Sequence, residues 1–401
     1  MKYLLLLLLL SPFCPKSYAQ SGCTDPQALN YDSGAVTNDG SCSYGLTEYT
    51  LTEITLLPDE LLECSGVESV NSGLWIHNDA GNEDKIYRID SVSGQILQSV
   101  TIATADNIDW EDITEDEDHI YIGDFGNNAG NRTDLRIYRI NKTDLVNNII
   151  NAELIEFSYS DQIDFSENIN NNNFDCEAFI FYNDSLHLFT KNWVDNQTRH
   201  YVLSAEPGNH SAQLVETFNV FGLITGADIS DNNEVVLIGY TQIGINFIWL
   251  LFDFQGSSFF SGNKRSISLG TGLTNSQTEG ITFKEDGYGY ICSERFNTLP
   301  QKLLSFSIKQ WVDNPTGIQA LDETYQVSVF PNPFQNFLQI EISRSVENWW
   351  FYEANGRIIS ANNAQEGELS VKISTENLPA GIYYFKVEKA NRSKVVQIVK
   401  Y

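Results

Sequence analysis

Carboxylates are concentrated in one short stretch of the chain, Asp109-Trp110-Glu111-Asp112, which enters a strand-like segment. An alternating segment at 119–123 follows, and then a loop rich in glycine and asparagine. Carboxylates in this arrangement could hold a hard cation, which prefers oxygen ligands, or could act as general acid and base. They could also cap strand ends by accepting hydrogen bonds from backbone amides. The motif alone is compatible with metal binding, structural capping and catalysis.

This acidic stretch belongs to a repeat with a period of about 50 residues. Five segments share one plan: a short strand entered through polar residues, a turn, a second strand, a loop and further strands. The segments begin at Ser65, Glu111, Glu177, Ala227 and Glu279. Four strands per repeat of this length predict a β-propeller, in which sheets called blades ring a central channel. Residues 49–56 are expected to complete the fifth blade, and a long second interval leaves room for a sixth.

The repeat predicts where the acidic side chains meet. In a propeller, the innermost strands begin and the second strands end near the same mouth of the channel. Like charges about 5 Å apart repel by on the order of 3 kcal/mol per pair at an effective dielectric near 20. A bound cation, Ca²⁺ by its preference for oxygen donors, is the expected neutraliser. The predicted metal ligands are Asp109, Glu111, Glu177, Asp228 and Glu279.

Few side chains at this mouth could act on a bound molecule. His77, Lys191 and Arg295 follow predicted second strands and are the candidates for catalysis. The histidines show no zinc-ligand spacing, and the chain has no Gly-x-Ser-x-Gly nucleophile motif. A calcium-stabilised binding module is therefore the main prediction. A metal-dependent hydrolase of phosphoesters or lactones, acting at the same mouth, is the alternative.

Residues 47–312 resemble a group of exported bacterial propellers that are loosely related to the phytase-like propellers. The resemblance lies in Asp-Trp-Glu-Asp-Ile at 109–113, Tyr-Ile-Gly-Asp-Phe-Gly-Asn-Asn at 121–128, Asp-Cys-Glu-Ala at 175–178 and Thr-Glu-Gly-Ile at 278–281. Phytase-like enzymes combine calcium ions in the channel with basic residues that grip phosphate. Here that resemblance would assign the gripping role to Lys191, Arg295 and Arg132, a small basic set that weakens the enzyme interpretation.

The N-terminus has the features of an exported chain. Residues 1–19 combine a charged start, a leucine run and a small-residue cleavage site, which predict a signal peptide. In residues 20–46, Cys23 and Cys42 predict a disulfide. The polar side chains between them could bind a hard cation or form Asx turns. This segment resembles a short Gly-Cys-Thr-Asp-Pro module found near the ends of secreted Bacteroidetes proteins, which implies no activity.

Three further cysteines, Cys64, Cys176 and Cys292, lie in innermost or second strands of the predicted repeats. An odd number allows one disulfide with one free thiol, or three buried thiols. No histidine stands at a defined spacing from any of them, so the sequence gives no support to a cysteine nucleophile.

The C-terminal part of the chain predicts a second all-β unit. After a linker at 313–324, residues 325–401 alternate as strands and contain Phe330-Pro-Asn-Pro333 and Leu378-Pro-Ala-Gly-Ile382. The order of these motifs resembles the C-terminal sorting domain of the type IX secretion system. That resemblance implies the secretion machinery as a partner, with release from the cell or anchoring at its surface. A carbohydrate-binding sandwich is the alternative.

Composition excludes some partners. The chain has 401 residues, of which 53 are acidic and 24 basic, for a formal net charge of −29. Such a surface repels nucleic acid and anionic lipid at long range. No segment after the leader supplies the roughly 18 apolar residues that span a bilayer. The sequence therefore predicts an all-β protein, secreted or anchored at the outer-membrane surface, with no nucleic-acid partner and no transmembrane segment.

Overall fold

The computed structural model describes residues 20–272, 276–285, 287–312, 327–332, 334–342, 348–353, 357–363, 370–389 and 392–400. The predicted signal peptide and linker lie outside these residues. The chain divides into two compact units, Met1–Val312 and Asp313–Tyr401. Both are built almost entirely from strands, so the protein is all-β as predicted.

The first unit contains a short N-terminal parallel pair and five antiparallel blades. The pair is β1 (Ser21–Gly22) with β2 (Thr37–Asn38), and β3 (Thr52–Leu56) follows. Blade 1 contains β4 (Cys64–Val70), β5 (Gly73–Asn78), β6 (Lys85–Ile89) and β7 (Ile96–Ile102). Blade 2 contains β8 (Trp110–Glu115), β9 (His119–Asp124), β10 (Arg136–Asn141) and, after the short β11 (Ile149–Ile150), β12 (Glu153–Tyr159).

The remaining blades continue the same order. Blade 3 contains β13 (Cys176–Tyr182), β14 (Ser185–Thr190), β15 (Gln197–Ser204) and β16 (Gly208–Asn219). Blade 4 contains β17 (Leu223–Ile229), β18 (Val235–Tyr240), β19 (Ile245–Phe252) and β20 (Asn263–Thr271). Blade 5 contains β21 (Gln277–Glu285), β22 (Tyr288–Glu294), β23 (Lys302–Ser307) and the earlier strand β3. Short 3₁₀ helices lie at Asp59–Leu61, Lys142–Val146 and Phe259–Ser261, and the helix α1 at Lys309–Val312.

The five blades form a closed ring. Each innermost strand packs against the next in chain order, and β21 of blade 5 packs against β4 of blade 1. The long second interval holds β11, β12 and the loop before β13, so the propeller has five blades. Pairing of β3 with β23 completes blade 5 with an N-terminal strand, as the sequence predicts.

Apolar layers between neighbouring blades hold the ring together. Each layer combines side chains from two adjacent sheets, because alternate residues of a strand point to opposite faces. Between blades 1 and 2, for example, Trp75 packs with Trp110 and Ile122. Between blades 4 and 5, Ile238 packs with Ile281. The alternating apolar residues of the strands thus form hydrophobic cores between neighbouring blades.

The outer edges of several blades are paired with other backbone. Strand β12 of blade 2 runs parallel to β16 of blade 3, which joins the two blades into one eight-stranded sheet. Strand β11 covers β7 of blade 1. On β20 of blade 4, Ser268 exchanges backbone hydrogen bonds with Thr47 and Tyr49.

The N-terminal segment is fastened to the propeller. The predicted disulfide between Cys23 and Cys42 is present. The Asx-turn interpretation is confirmed, because side-chain oxygens in this segment accept backbone N–H groups two residues ahead. These acceptors are Asp25, Asp32, Asn38 and Asp39. The Arg265 guanidinium of blade 4 lies 4.1 Å from the ring centre of Tyr44, which fixes the segment to that blade.

The second unit has two sheets around one core. One sheet contains β24 (Val327–Phe330), β25 (Phe337–Ile342) and β28 (Ser370–Ser374). The other contains β26 (Asn348–Glu353), β27 (Ile358–Asn363), β29 (Gly381–Lys389) and β30 (Arg392–Lys400). In the bulky stretch of β26, Trp349 and Phe351 are buried in the core, whereas Trp350 lies beneath the Lys386 ammonium. These two sheets form the predicted C-terminal sandwich.

Candidate functional site

One end of the channel, where the innermost strands begin, is called the upper mouth. Each innermost strand is irregular there, with a register shift against its neighbouring second strand. A β-bulge of this kind re-aims a side chain away from the regular alternation. The corresponding residues of blades 1 to 5 are Ser65, Glu111, Glu177, Thr225 and Glu279. Three of the five are buried glutamates, so the irregular strand starts create the acidic mouth.

Asp228 does not belong to this ring, which corrects one predicted metal ligand. The bulge of blade 4 lies at Thr225, three residues earlier, and Asp228 instead lines a cavity of about 370 Å³ at the opposite end, the lower mouth. Its two carboxylate oxygens accept the backbone N–H groups of Ile229, at 2.7 Å, and Phe283, at 2.6 Å. Asp228 therefore joins blade 4 to blade 5.

Asp79, Asp109 and Glu111 converge at the upper mouth. One carboxylate oxygen from each lies within 4.8 Å of the other two. Ca²⁺ binds oxygen at about 2.3–2.6 Å, so two ligands on opposite sides of the ion are about 5 Å apart. The three oxygens are thus close enough to share one hard cation.

Glu111 has an unusual environment for a buried carboxylate. Its side chain is only 4% exposed, and within the described ranges no hydrogen-bond donor contacts its carboxylate. A Cβ at Gly126 would lie 2.1 Å from Glu111 Oε1 and 2.4 Å from Asp109 Oδ2, so a side chain there would displace both carboxylates. The glycine leaves space beside the Glu111 and Asp109 carboxylates, of which Asp109 has the Arg132 charge nearby.

Charge repulsion makes this arrangement costly when all three groups are ionised. At 4.8 Å, each pair repels by on the order of 3 kcal/mol at an effective dielectric near 20. Three such pairs approach the total stability of a typical domain, about 5–15 kcal/mol. Burial, followed by the nearby charges of Asp79 and Asp175, raises the pKa of Asp109 to about 7. Burial and the Glu177 charge hold the pKa of Glu111 well above its usual range. A proton or a cation is therefore needed at this position.

Glu177 is neutralised by a different partner. The Lys191 ammonium lies 2.8 Å from its carboxylate and 5.1 and 5.5 Å from the ring centres of Trp193 and Tyr240. Burial alone would lower the pKa of Lys191, but Glu177 and the other acidic groups hold it well above its usual range. Lys191 and Glu177 therefore form an ion pair, and this pair engages the Lys191 ammonium.

Glu279 and Glu294 extend the acidic surface on the side of blade 5. The Glu279 carboxylate accepts a hydrogen bond of 2.6 Å from Gln277, and burial raises its pKa to about 7. Burial, with the charges of Glu279 and Asp79, raises the pKa of Glu294 to about 8. Both groups thus bind protons near neutral pH.

Asp79 is the site residue that was missing from the predicted ligands. It directly follows β5, the second strand of blade 1, and its backbone N–H donates to Glu63. Lys191 directly follows β14, the second strand of blade 3, and its backbone N–H donates to the backbone oxygen of Asp175. The sequence places Asp79 among the second-strand ends at the same mouth as the acidic stretch, but does not single it out as a ligand.

The predicted catalytic residues are dispersed. The His77 ring is fully buried between blades 1 and 2, with its edge against Trp110, and burial lowers its pKa to about 4. Arg295 is exposed in the loop after β22. The Arg132 guanidinium lies 3.0 Å from Asp124 and is bound to it. Of the groups proposed to grip phosphate, Lys191 and Arg132 are already paired with carboxylates.

A cavity of about 420 Å³ adjoins the upper mouth between blades 4 and 5. Apolar atoms, including those of Ile243 and Phe296, form most of its surface, although many of the lining residues are polar. Two other lining residues link it to the acidic groups, since Tyr240 lies against Lys191 and Gln277 donates to Glu279. The upper mouth therefore combines an acidic centre with an apolar recess.

The fold and site together define an all-β protein with a five-bladed propeller and an acidic channel mouth. Residues 328–401 match the secretion system C-terminal sorting domain. This match confirms the predicted sorting domain and identifies a protein that is secreted or attached to the outer-membrane surface by way of the type IX secretion machinery. No curated protein matches the chain. Among the described residues, no helix has the length and apolar character needed to cross a membrane.

Several solved structures are similar to the chain at low identity. A calcium-binding protein, regucalcin, from Agrobacterium tumefaciens has 9% identity and a TM-score of 0.35, covering 65% of this chain and 94% of its own. A luciferin-regenerating enzyme has 9% identity and a TM-score of 0.34, covering 64% and 94%. A protein of unknown function from Bacteroides caccae has 10% identity and a TM-score of 0.33, covering 61% and 77%. Likenesses at this level assign neither a ligand nor an activity.

Proposed function

We propose that the protein is an extracellular binding module whose upper mouth holds a calcium ion between Asp79, Asp109 and Glu111. The observation that carries this proposal is the buried Glu111 carboxylate, which has no hydrogen-bond donor among the described residues and lies within 4.8 Å of two further carboxylates. A hard divalent cation supplies the missing positive charge, and the three oxygens are the donors it prefers. Glu177 and Glu279 line the same mouth around this centre.

The bound molecule would approach the cation from the channel mouth. Ca²⁺ takes six to eight oxygen ligands, and three carboxylates leave positions for oxygen atoms of water or of a ligand. The recess beside Tyr240 and Phe296 could receive an apolar part of that ligand. A ligand that combines an oxygen-rich group with an apolar group fits both features.

The calcium proposal is tested by calorimetric titration of the EDTA-treated protein and by thermal unfolding. At a Ca²⁺ concentration 100 times the dissociation constant, binding stabilises the fold by about 2.7 kcal/mol. For a propeller of this size, that corresponds to a rise in Tm of roughly 4–5 °C. Glu111→Gln should abolish this rise, because a neutral amide replaces the carboxylate that the cation would neutralise.

The matched control is Glu115→Gln, four residues later on the same strand. Glu115 lies at the lower mouth, where its carboxylate is 2.7 Å from the Lys142 ammonium. This variant should keep the full response to Ca²⁺. Equal responses of wild-type protein and Glu111→Gln would refute the calcium site, as would a wild-type protein that is indifferent to EDTA.

A metal-dependent hydrolase of phosphoesters or lactones is the second candidate, favoured by the recess beside the acidic mouth. Lys191 is committed to Glu177 and His77 is enclosed between blades, so Arg295 is the predicted catalytic residue whose charged group is exposed. A panel of phosphoester and lactone substrates, with and without Ca²⁺, distinguishes the two functions. Turnover that requires Ca²⁺ and is lost in Glu111→Gln would establish the hydrolase.

A further inference from the structure

Two of the three cysteines that the structure describes outside the N-terminal disulfide share one site. Cys64 at the start of β4 and Cys292 in β22 are both fully buried in the apolar layer between blades 5 and 1. Cys292 Sγ lies 3.1 Å from the backbone oxygen of Ser65, the residue after Cys64. Burial, followed by hydrogen bonding with the Cys292 thiol, raises the pKa of Cys64, and the structure has both cysteines as free thiols. The two sulfur atoms are therefore neighbours across a blade boundary.

The local backbone is shaped for this approach. A Cβ at Gly280 would lie 2.4 Å from the Ser65 backbone oxygen and 3.0 Å from Cys292 Sγ. Glycine at this position is what allows β4 to come close to β21 and β22. Cys176, by contrast, lies in blade 3, where its Sγ faces the backbone oxygens of Ala178 and Phe189 at 3.7 Å.

The shared site lies at the seam where the ring closes. Blade 5 and blade 1 are otherwise joined there by polar contacts such as the 2.8 Å hydrogen bond from Thr282 to Glu68. The Gln301 side chain donates to the backbone oxygen of Leu57 at 2.9 Å, and the Arg295 N–H donates to that of Leu62 at 2.9 Å. A covalent bond at this point would link the first innermost strand of the propeller to the last blade.

We propose that Cys64 and Cys292 form a disulfide in the exported protein and so lock the propeller ring between blades 1 and 5. The oxidant is a disulfide donor of the oxidising compartment that exported proteins enter, either a donor protein or a small disulfide such as oxidised glutathione. One thiolate attacks the donor disulfide and releases one donor thiol, giving a mixed disulfide. The second thiolate then displaces the other donor thiol. The two cysteines lose two protons and two electrons, and the donor disulfide is reduced to two thiols.

The exchange must precede the final packing of the seam. Thiolates are the reactive species, and burial raises the pKa of the Cys64 thiol in the folded chain. Both sulfur atoms are also closed to a donor once blades 5 and 1 have packed. The disulfide therefore forms during folding after export.

The test is differential alkylation of the full chain isolated from an oxidising periplasm. The protein is denatured and labelled with a first alkylating reagent, then reduced and labelled with a second, and the peptides are mapped by mass spectrometry. Cys64 and Cys292 should carry the second label, Cys176 should carry the first, and the unreduced digest should contain one peptide pair joined through Cys64 and Cys292. First-label modification of Cys64 and Cys292 in the wild-type protein would overturn the proposal.

Single variants keep the result interpretable even if they fold poorly, because labelling is done on denatured chains. In Cys292→Ser, Cys64 should move to the first label, whereas in Cys176→Ser the linked pair should persist. Refolding in the presence of oxidised glutathione should yield the linked pair, and exposure of already folded, reduced protein should not. If the two treatments gave equal amounts of the linked pair, the conclusion that the cysteines are oxidised before they are buried would be wrong.

Discussion

Asp109, Glu111 and Asp112 are three carboxylates within four positions, and the structure gives them different tasks. Asp109 and Glu111 face the upper mouth, where they converge with Asp79. Asp112 is fully buried and accepts backbone N–H groups from Ile113 in its own blade, from Phe179 in blade 3 and from Ala227 in blade 4. Structural capping, one of the alternatives that the sequence left open, is the role of Asp112, whereas the metal binding that we propose involves Asp109 and Glu111 of the same motif.

The structural role of Asp112 predicts a large loss of stability in Asp112→Asn. One Asp112 oxygen accepts from Phe179 and Ala227, both at 3.2 Å, and the other accepts from Ile113 at 2.9 Å. An asparagine amide would turn its own N–H toward at least one of these buried donors, at about 1–3 kcal/mol for each group left unsatisfied. Chemical denaturation should show a loss of about 2–4 kcal/mol.

Asp109→Asn is the control from the same motif. No backbone N–H is held by its carboxylate in the described part of the chain, so the EDTA-treated variant should be as stable as wild type or more stable. Its response to Ca²⁺ should be weakened, while that of Asp112→Asn should be retained at temperatures where the variant is folded. A full Ca²⁺ response in Asp109→Asn together with a weakened response in Asp112→Asn would contradict this assignment of the two roles.

At the level of elements, the strands were predicted well and the bulges were not. The fourth strands and the closing β3 follow from alternation and spacing, and they lie where the sequence places them. In blade 4 the sequence predicts that the repeat begins at Ala227-Asp228-Ile229, in line with Glu111-Asp112-Ile113 of blade 2. The bulge actually falls at Thr225. A bulge is set by backbone pairing between two strands, and residue type along one strand does not reveal it.

The pairing of β3 with β23 predicts a sharp difference between two truncated chains. A chain beginning at Glu48 loses the disulfide segment but keeps β3, so it should fold as a monomer with a lower Tm. A chain beginning at Leu57 also loses β3, which leaves the edge of β23 open to pairing with other molecules. Size-exclusion chromatography should therefore show aggregation of the second chain.

Monomeric, cooperative unfolding of the chain that begins at Leu57 would show that the ring closes without β3. If both truncated chains aggregated, the disulfide segment itself would be required for closure. Its contact through Tyr44 and Arg265 makes it a stabilising attachment to a ring that β3 completes.

At the level of the whole molecule, the acidic mouth predicts an unusual dependence of stability on pH. The pKa of Glu279 is raised to about 7 and that of Glu294 to about 8, against about 4.3 in an unfolded chain. Between these values the folded protein binds more protons than the unfolded one, so stability falls as pH rises. The Tm of the EDTA-treated protein should decrease from about pH 5 to about pH 8.

Calcium should oppose this decrease, since the cation stabilises the deprotonated carboxylates. The rise in Tm on adding Ca²⁺ should therefore be larger at pH 8 than at pH 5. The double variant Glu279→Gln with Glu294→Gln should flatten the pH profile measured in EDTA. A wild-type Tm in EDTA that increases with pH across this interval would contradict the assigned protonation.

The pairing of the outer strands affects how the protein resists aggregation once it has been exported. Strand β12 covers β16, β11 covers β7, and residues 47–49 cover part of β20. An unpaired sheet edge is a template for adding a strand from another chain. A protein that is exported and then concentrated at a cell surface meets many copies of itself at close range. By occupying these edges with its own backbone, the propeller limits strand exchange between neighbours and is kept from fibrous aggregation.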